Sequence, residues 1–435
     1  MKNAQLKKRQ DRFARGIARS SEMVLAELED CPDRPRNLDY FIRTMRDVFV
    51  EDQWDKRLKQ GDEEKKIIGT YCMMVPEELI YAAGAIPVRL SGGSYEASCV
   101  GDEQVPRDTC PVVKASLGSA SLNSPSPYEM CDVVIVPTTC DAKRKMGEEL
   151  SRFNEVWMLE VPHIKESEAS RRQWLQQIYG LKKSLEKYTG RKFFGKKISR
   201  KALDASIKMI GFAQYQARRL YEIRKSKKPV IFGREATLAI NAYCYDTVPE
   251  WTKAMAELND ELEERSKNGP FVCREHTPRI LLAGCPTAFP NWKIPSLIEE
   301  MGAVLVTDES CLGDRYLYDP VGITESSMRD MMTGIAARYL MPCVCPSFAP
   351  NEDRLFRLLQ MAEDFSVDGI IYHVLKGCVI YDFELFRVEK IMKEKNIPVL
   401  RIETDYNPED IEQLRTRIEA FIEMLASKKK KTKEL

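Results

Sequence analysis

Between Gly369 and Tyr406 the chain reads GIIYHVLKGCVIYDFELFRVEKIMKEKNIPVLRIETDY, and this stretch restricts the choice of fold more than any other. Ile370 to Leu375 is an apolar run of strand length, as in a parallel sheet covered on both faces. Lys376-Gly377-Cys378 follows it. Asp382 to Lys395 then spaces Leu385, Val388, Ile391 and Met392 close to the helical period. Asn396 and Pro398 end that helix, and Val399 to Ile402 is a second strand. Strand, helix and strand in this order form a β-α-β unit with a cysteine on its first turn. That is the edge where open α/β sheets bind ligands.

The pattern recurs. Cys72 follows the short run Ile67-Ile68 and precedes a helix from Glu77 to Ala83, with a strand Ile86–Leu90 behind it. Val133–Val136 ends in Pro137-Thr138-Thr139-Cys140-Asp141. Arg279–Ala283 ends in Gly284-Cys285, and Val304–Val306 ends in Thr307-Asp308-Glu309-Ser310-Cys311. Cysteines thus gather where strands run out. Cys110 stands at a helix start, where backbone N–H groups and the helix dipole favour a thiolate.

Length and periodicity divide the chain into a helical N-terminal arm (1–65), a first α/β domain (66–165), a helical insertion (166–277), a second α/β domain (278–427) and a basic tail (428–435). The expected fold class is α/β, with two doubly wound, flavodoxin-like parallel sheets facing a cleft. The arm is expected to offer a surface for dimer contacts. If the sheets face each other, Cys72, Cys110, Cys140, Cys285, Cys311, Cys343 and Cys378 converge. Cys31, Cys99, Cys131, Cys244 and Cys273 are expected to be structural, Cys99 in a Gly/Ser-rich loop.

The charges nearly cancel, 67 basic against 66 acidic, so no global field favours nucleic acid. No apolar run is long enough to cross a bilayer, and the basic N-terminus lacks a signal-type apolar core. A cytoplasmic chain with reduced thiols is expected. Its 13 cysteines against three histidines, with no C-x2-C pair, indicate soft ligation by iron–sulfur, copper(I) or zinc if they bind metal. His373 reads as a satisfied core residue, and neither His163 nor His276 is assigned to catalysis. Gly190 to Lys197 copies P-loop spacing, but Lys197 stands where Ser/Thr would hold magnesium and a helix precedes it, so ATP binding by this chain is not expected. The Lys428–Lys431 run reads as solvated. Lys143-Arg144-Lys145 is either a solvated helix face or a docking patch for an acidic partner or substrate. Glu77, Glu78 and Asp141 are acid/base candidates that also suit helix starts.

Several motifs together resemble the 2-hydroxyacyl-CoA dehydratase and benzoyl-CoA reductase superfamily, and within it the double-cubane cluster proteins. They are Tyr71-Cys72 with Pro76 to Pro87, Thr109-Cys110-Pro111 with Lys114, and Thr138-Thr139-Cys140-Asp141 with Lys143 and Lys145. Gly284-Cys285-Pro286, Pro342-Cys343, Gly377-Cys378 with Tyr381, and Arg401 to Tyr406 running into Gln413–Phe421 complete the set. The resemblance implies three cysteines, Cys72, Cys110 and Cys378, on a [4Fe-4S] cluster in dehydratase-type subunits. In double-cubane members it implies six, adding Cys140, Cys311 and Cys343, on an [8Fe-9S] cluster. Cys285 is held in reserve, and Cys345 beside Cys343 leaves that position open. It further implies a separate ATP-hydrolysing [4Fe-4S] activator as electron donor, a small-molecule or acyl-CoA substrate and a dimer. Two activities follow as expectations: a low-potential iron–sulfur reductase, or a subunit of a 2-hydroxyacyl-CoA dehydratase that removes water through a radical. A third expectation is a non-enzymatic scaffold or electron carrier.

Overall fold

Two parallel four-stranded sheets organise the chain, described for residues 2–59, 64–190 and 197–433 in a computed structural model. The first contains β1 (Ile67–Thr70), β2 (Ile86–Arg89), β3 (Val133–Pro137) and β4 (Glu155–Leu159), in the order β2-β1-β3-β4. The second contains β5 (Arg279–Gly284), β6 (Val304–Glu309), β7 (Gly369–Leu375) and β8 (Val399–Thr404), in the order β6-β5-β7-β8. All pairings are parallel. The two orders are equivalent: the first strand of each sheet lies between the second and third. Each sheet therefore reverses its winding beside its first strand, β1/β3 and β5/β7, the position at which such folds open a ligand crevice.

The strands are apolar because helices cover both faces. In β5, Ile280 and Leu282 face the core formed with helices Lys293–Glu300 and Ile411–Lys433, while Leu281 and Ala283 face the larger core shared with the first sheet. The outer strands β4 and β8 are partly solvated. Most element limits fall within about three residues of those expected from sequence. β6 continues to Glu309, because its polar end is buried and partnered inside the protein.

The insertion holds helices Glu168–Thr189, Arg200–Arg224, Gly233–Ala242 and Val248–Asn268. Arg219 bridges Asp260 and Glu263 across the second and fourth of these. The same helix reaches both sheets: Ser206 Oγ donates to the Glu78 carbonyl at 2.8 Å, and Tyr221 Oη donates to Asp308 at 3.0 Å. The N-terminal helix Lys2–Glu29 buries Phe13, Ile17, Leu25 and Leu28 in the main core, so one face of the arm is already covered by its own chain.

Three expectations are corrected. Cys99 lies in a helix, Tyr95–Gly101, not a loop, because the Ser94 hydroxyl accepts the Ala97 N–H at 3.1 Å and starts it. Residues 428–433 continue the last helix, and Lys429 pairs with Asp368 at 2.7 Å rather than standing free in solvent, while Lys428 and Lys430 stay exposed. His373 is buried, but neither ring nitrogen has a hydrogen-bond partner. Most of the P-loop-like stretch, 191–196, lies outside the described residues. No described helix is long and apolar enough to cross a membrane.

Candidate functional site

The two sheets bring their carboxyl edges together over a group of thiols. Cys72 follows β1, Cys140 follows β3, Cys285 follows β5 and Cys378 follows β7, so all four strands flanking the two switch points end in cysteine. Cys110 precedes the helix Pro111–Leu122, between β2 and β3. Cys343 and Cys345 occupy the equivalent connection between β6 and β7, and Cys311 follows β6. All are free thiols.

Two glycines make the approach possible. Gly284 and Gly377 both take positive φ, 101° and 76°, in the turn before a cysteine. A Cβ on Gly377 would stand 2.2 Å from the Asp108 carbonyl oxygen, so the backbones of the two halves touch there. That contact carries Cys378 to Cys110, and the two thiols interact. Cys378 also contacts the Cys285 thiol, whose sulfur accepts the Leu375 N–H at 3.3 Å. The interaction with Cys378, followed by burial, raises the Cys110 pKa. At Cys378 the interaction with Cys110 acts downward, but that with Cys285 and burial prevail, and its pKa rises.

The second group centres on Cys72, a non-glycine residue with φ of 74°. Burial acts to raise its pKa, but the charges of Lys143 and Arg89, a hydrogen bond from the Met74 backbone and the charge of Arg315 together outweigh it, and the pKa falls. Cys140, Cys343 and Cys345 nearby move the other way, upward, chiefly through burial. Cys140 feels both Cys110 and Cys72, and so links the two groups. Cys343 and Cys345 both feel Cys72. Their loop is tied to the first half by the buried Lys165 ammonium, which donates to the Met341 and Cys343 carbonyls at 3.0 and 3.1 Å and pairs with Asp353. Beneath lies a buried polar network. Arg315 pairs with Glu309 and donates to Tyr381, while Arg354 bridges Glu309 and Glu384.

The structure separates the residues of the basic run. Arg144 and Lys145 pair with Asp141 and Glu148 on the exposed face. Lys143 turns inward: burial disfavours its charge, but Cys72, Cys140 and Cys311 more than offset this and its pKa rises. Asp141 is exposed and paired with Arg144, at the rim of the depression that Cys140 lines. Glu77 and Glu78 are buried and shape the junction of the halves. Glu77 accepts from Tyr243 at 2.8 Å and from Tyr316, and Glu78 accepts from Tyr339 at 2.8 Å. Burial raises both carboxyl pKa values. Cys31, Cys131 and Cys244 are buried away from this arrangement or at its margin, and their pKa values are raised by burial. Cys99 is exposed and Cys273 half-buried.

Solvent reaches the thiols from separate sides. A depression of about 440 Å³ is lined by Cys140, Thr138 and His163. Another of about 360 Å³ is lined by Cys343, Met73 and Arg315. A third of about 590 Å³ ends at Thr109, Pro111 and Gly377.

Among the described residues no three Cys, His, Asp or Glu side chains are close enough together to hold a single metal ion. The donor set is sulfur from many elements with cations beside it, and it suits a polynuclear centre whose ligands stand further apart than those around one ion. Two doubly wound sheets closing over free thiols define an α/β protein with a thiol-lined cleft. The chain belongs to the family of the 2-hydroxyglutaryl-CoA dehydratase D-component (HGD-D), whose model matches residues 72–425. It is 32% identical to the putative dehydratase subunit YjiM of Escherichia coli (strain K12), over 82% of this chain and 91% of that one. It is 25% identical to the (R)-phenyllactyl-CoA dehydratase beta subunit of Clostridium sporogenes, over 89% of this chain and all of that one. With a benzoyl-CoA reductase subunit of Thauera aromatica it shares 21%, over 87% and 95%.

His373 allows a test of the apo fold. Burial lowers its pKa from 6.5 to about 4, with the Lys293 charge acting the same way. Below pH 6.5 the unfolded chain takes up a proton that the folded one refuses. Stability is therefore full above pH 6.5 and falls as pH drops toward 4, by about 3 kcal/mol. Denaturant unfolding at pH 7 and pH 5 should show about 2 kcal/mol of this loss, and His373→Leu should reduce it.

Proposed function

We propose that this chain is an iron–sulfur reductase whose cleft holds a double-cubane [8Fe-9S] cluster. A separate ATP-hydrolysing activator would reduce it, and it would pass low-potential electrons to a small molecule. The observation that carries the reading is the doubled thiol set. Each half offers a cysteine after its first strand (Cys72, Cys285), one between its second and third (Cys110; Cys343 or Cys345) and one after its third (Cys140, Cys378), and Cys311 adds another. A single cubane would leave most of these without a role.

Cys72, Cys110, Cys378, Cys140, Cys311 and Cys343 are the proposed ligands. The thiol contact of Cys285 with Cys378, and the position of Cys345 beside Cys72, make these two the competitors. Bound there, the cluster would supply single electrons at low potential. The chain's part is to bury it, to place cations beside its sulfurs and to leave access from the depressions at Cys140 and Cys343. Iron–sulfur potentials extend only to about −700 mV, so a poorly electrophilic substrate calls for the ATP-coupled donor.

The names of the relatives favour a second reading: a 2-hydroxyacyl-CoA dehydratase subunit holding one [4Fe-4S] cluster on Cys72, Cys110 and Cys378. Anaerobic reconstitution with iron and sulfide counting separates the two. About eight irons per chain is expected; about four would favour the dehydratase, and none would leave a scaffold. Electron paramagnetic resonance of alanine variants at positions 140, 285, 311, 343 and 345 assigns the ligands. A cytoplasmic homodimer completes the proposal, and sedimentation of the loaded protein tests the dimer.

A further inference from the structure

Arg89 is a buried cation that no carboxylate balances. It ends β2, its side chain is 2% exposed, and among the described residues it pairs with no Asp or Glu. Its guanidinium donates to Cys311 Sγ at 3.3 Å and to the Cys311 carbonyl. It lies 4.6 Å from the centre of the Tyr316 ring, and its Nε has no partner. A guanidinium out of water and unpaired is costly, so the fold must bring negative charge to it. The polar groups nearest to it are the sulfurs of Cys311, Cys244 and Cys72 and the Tyr316 hydroxyl, none of them a carboxylate. Arg315, by contrast, already has Glu309. Lys143 repeats the pattern from the other side, with no carboxylate partner among the described residues and with the sulfurs of Cys72, Cys140 and Cys311 around it.

We infer that Arg89 is a positioning residue for the sulfur centre: it fixes Cys311 by its sulfur and its carbonyl and stabilises the more negative, reduced state. Lys143 is the second cation of the same arrangement. The inference rests on an iron–sulfur centre occupying the cleft. Hydrogen bonds to ligating sulfur and nearby positive charge favour the added electron and raise the potential. The centre would otherwise lie lower still, beyond easy reach of a donor.

The test is a redox titration of the full chain, reconstituted anaerobically and followed by electron paramagnetic resonance, with iron content measured on the same samples. Arg89→Met should weaken the one-electron reduction equilibrium about tenfold, which is a midpoint about 59 mV more negative. Arg89→Lys keeps the charge without the fork and should move it less. Equal midpoints in Arg89→Met and wild type at equal iron content would overturn the role. If Arg89→Met takes up no iron, Arg89→Lys decides, and a midpoint identical to wild type counts against the proposal. Failure of both variants to load would make Arg89 a folding residue instead. A wild-type chain without iron would remove the cluster reading itself, whereas unmoved midpoints remove only this one.

Discussion

Cys72→Ala is expected to lower iron affinity at least tenfold in the reconstituted chain, while Cys131→Ala keeps its iron. Loss of an outer-shell partner alone costs about 10–100-fold in metal affinity, and loss of a ligand should cost no less. Cys72 is singled out by two independent features. Burial opposes its ionisation, yet Lys143, Arg89, the Met74 backbone hydrogen bond and Arg315 together bring its pKa down, toward the thiolate that ligates metal. It also adopts φ of 74°, a conformation that non-glycine residues rarely take. Strain of this kind persists where a side chain is needed at that point. The strain has its own readout. Iron-free Cys72→Gly should be more stable than iron-free Cys72→Ala by about 1 kcal/mol, because glycine tolerates the left-handed region. Equal iron in Cys72→Ala and wild type would remove Cys72 from the ligand set.

Arg354→Met is expected to destabilise the fold by about 3–5 kcal/mol, the usual cost of leaving a buried charge without its partner. Arg354 and Glu309 are both fully buried and pair at 2.9 Å. Arg354 also reaches Glu384 at 3.3 Å and donates to Tyr372 Oη at 3.0 Å. Tyr372 in turn donates to the Tyr381 carbonyl, and Tyr381 is held by Arg315. The network lies directly under the turns that carry Cys311, Cys345 and Cys378. Its loss should therefore also loosen the site, read as lower iron uptake at temperatures well below unfolding. Denaturant titration of the apo chain gives the stability term. A loss within 1 kcal/mol of zero would mean that Arg315 alone compensates Glu309.

The strand-then-cysteine turns were legible in the sequence because apolar run, turn glycine and helix start are local signals. Each of Cys72, Cys140, Cys285 and Cys378 lies where that pattern places it. The equivalence of the two sheets was not legible, since it depends on strand order rather than on spacing. Lys143, Arg144 and Lys145 look alike in sequence; helix geometry turns one inward and leaves two in solvent. Arg89 gave no local signal, because what distinguishes it is the absence of a carboxylate from distant segments. Glu77 and Glu78 fit a helix start and are also buried, a fact that depends on tyrosines from the insertion and from the second domain. Cys99 was misread because serine and glycine suggest a loop, whereas Ser94 caps a helix.

The contact of Gly377 with Asp108 acts as a spacer of zero thickness between the halves. Main chain rests on main chain there, so the gap across which the opposing sulfurs meet is fixed by the backbone and not by adjustable side chains. Any residue larger than glycine would act as a wedge, parting Cys378 from Cys110 while leaving each sheet intact. Such a chain would fold, and its two halves would no longer hold these thiols together.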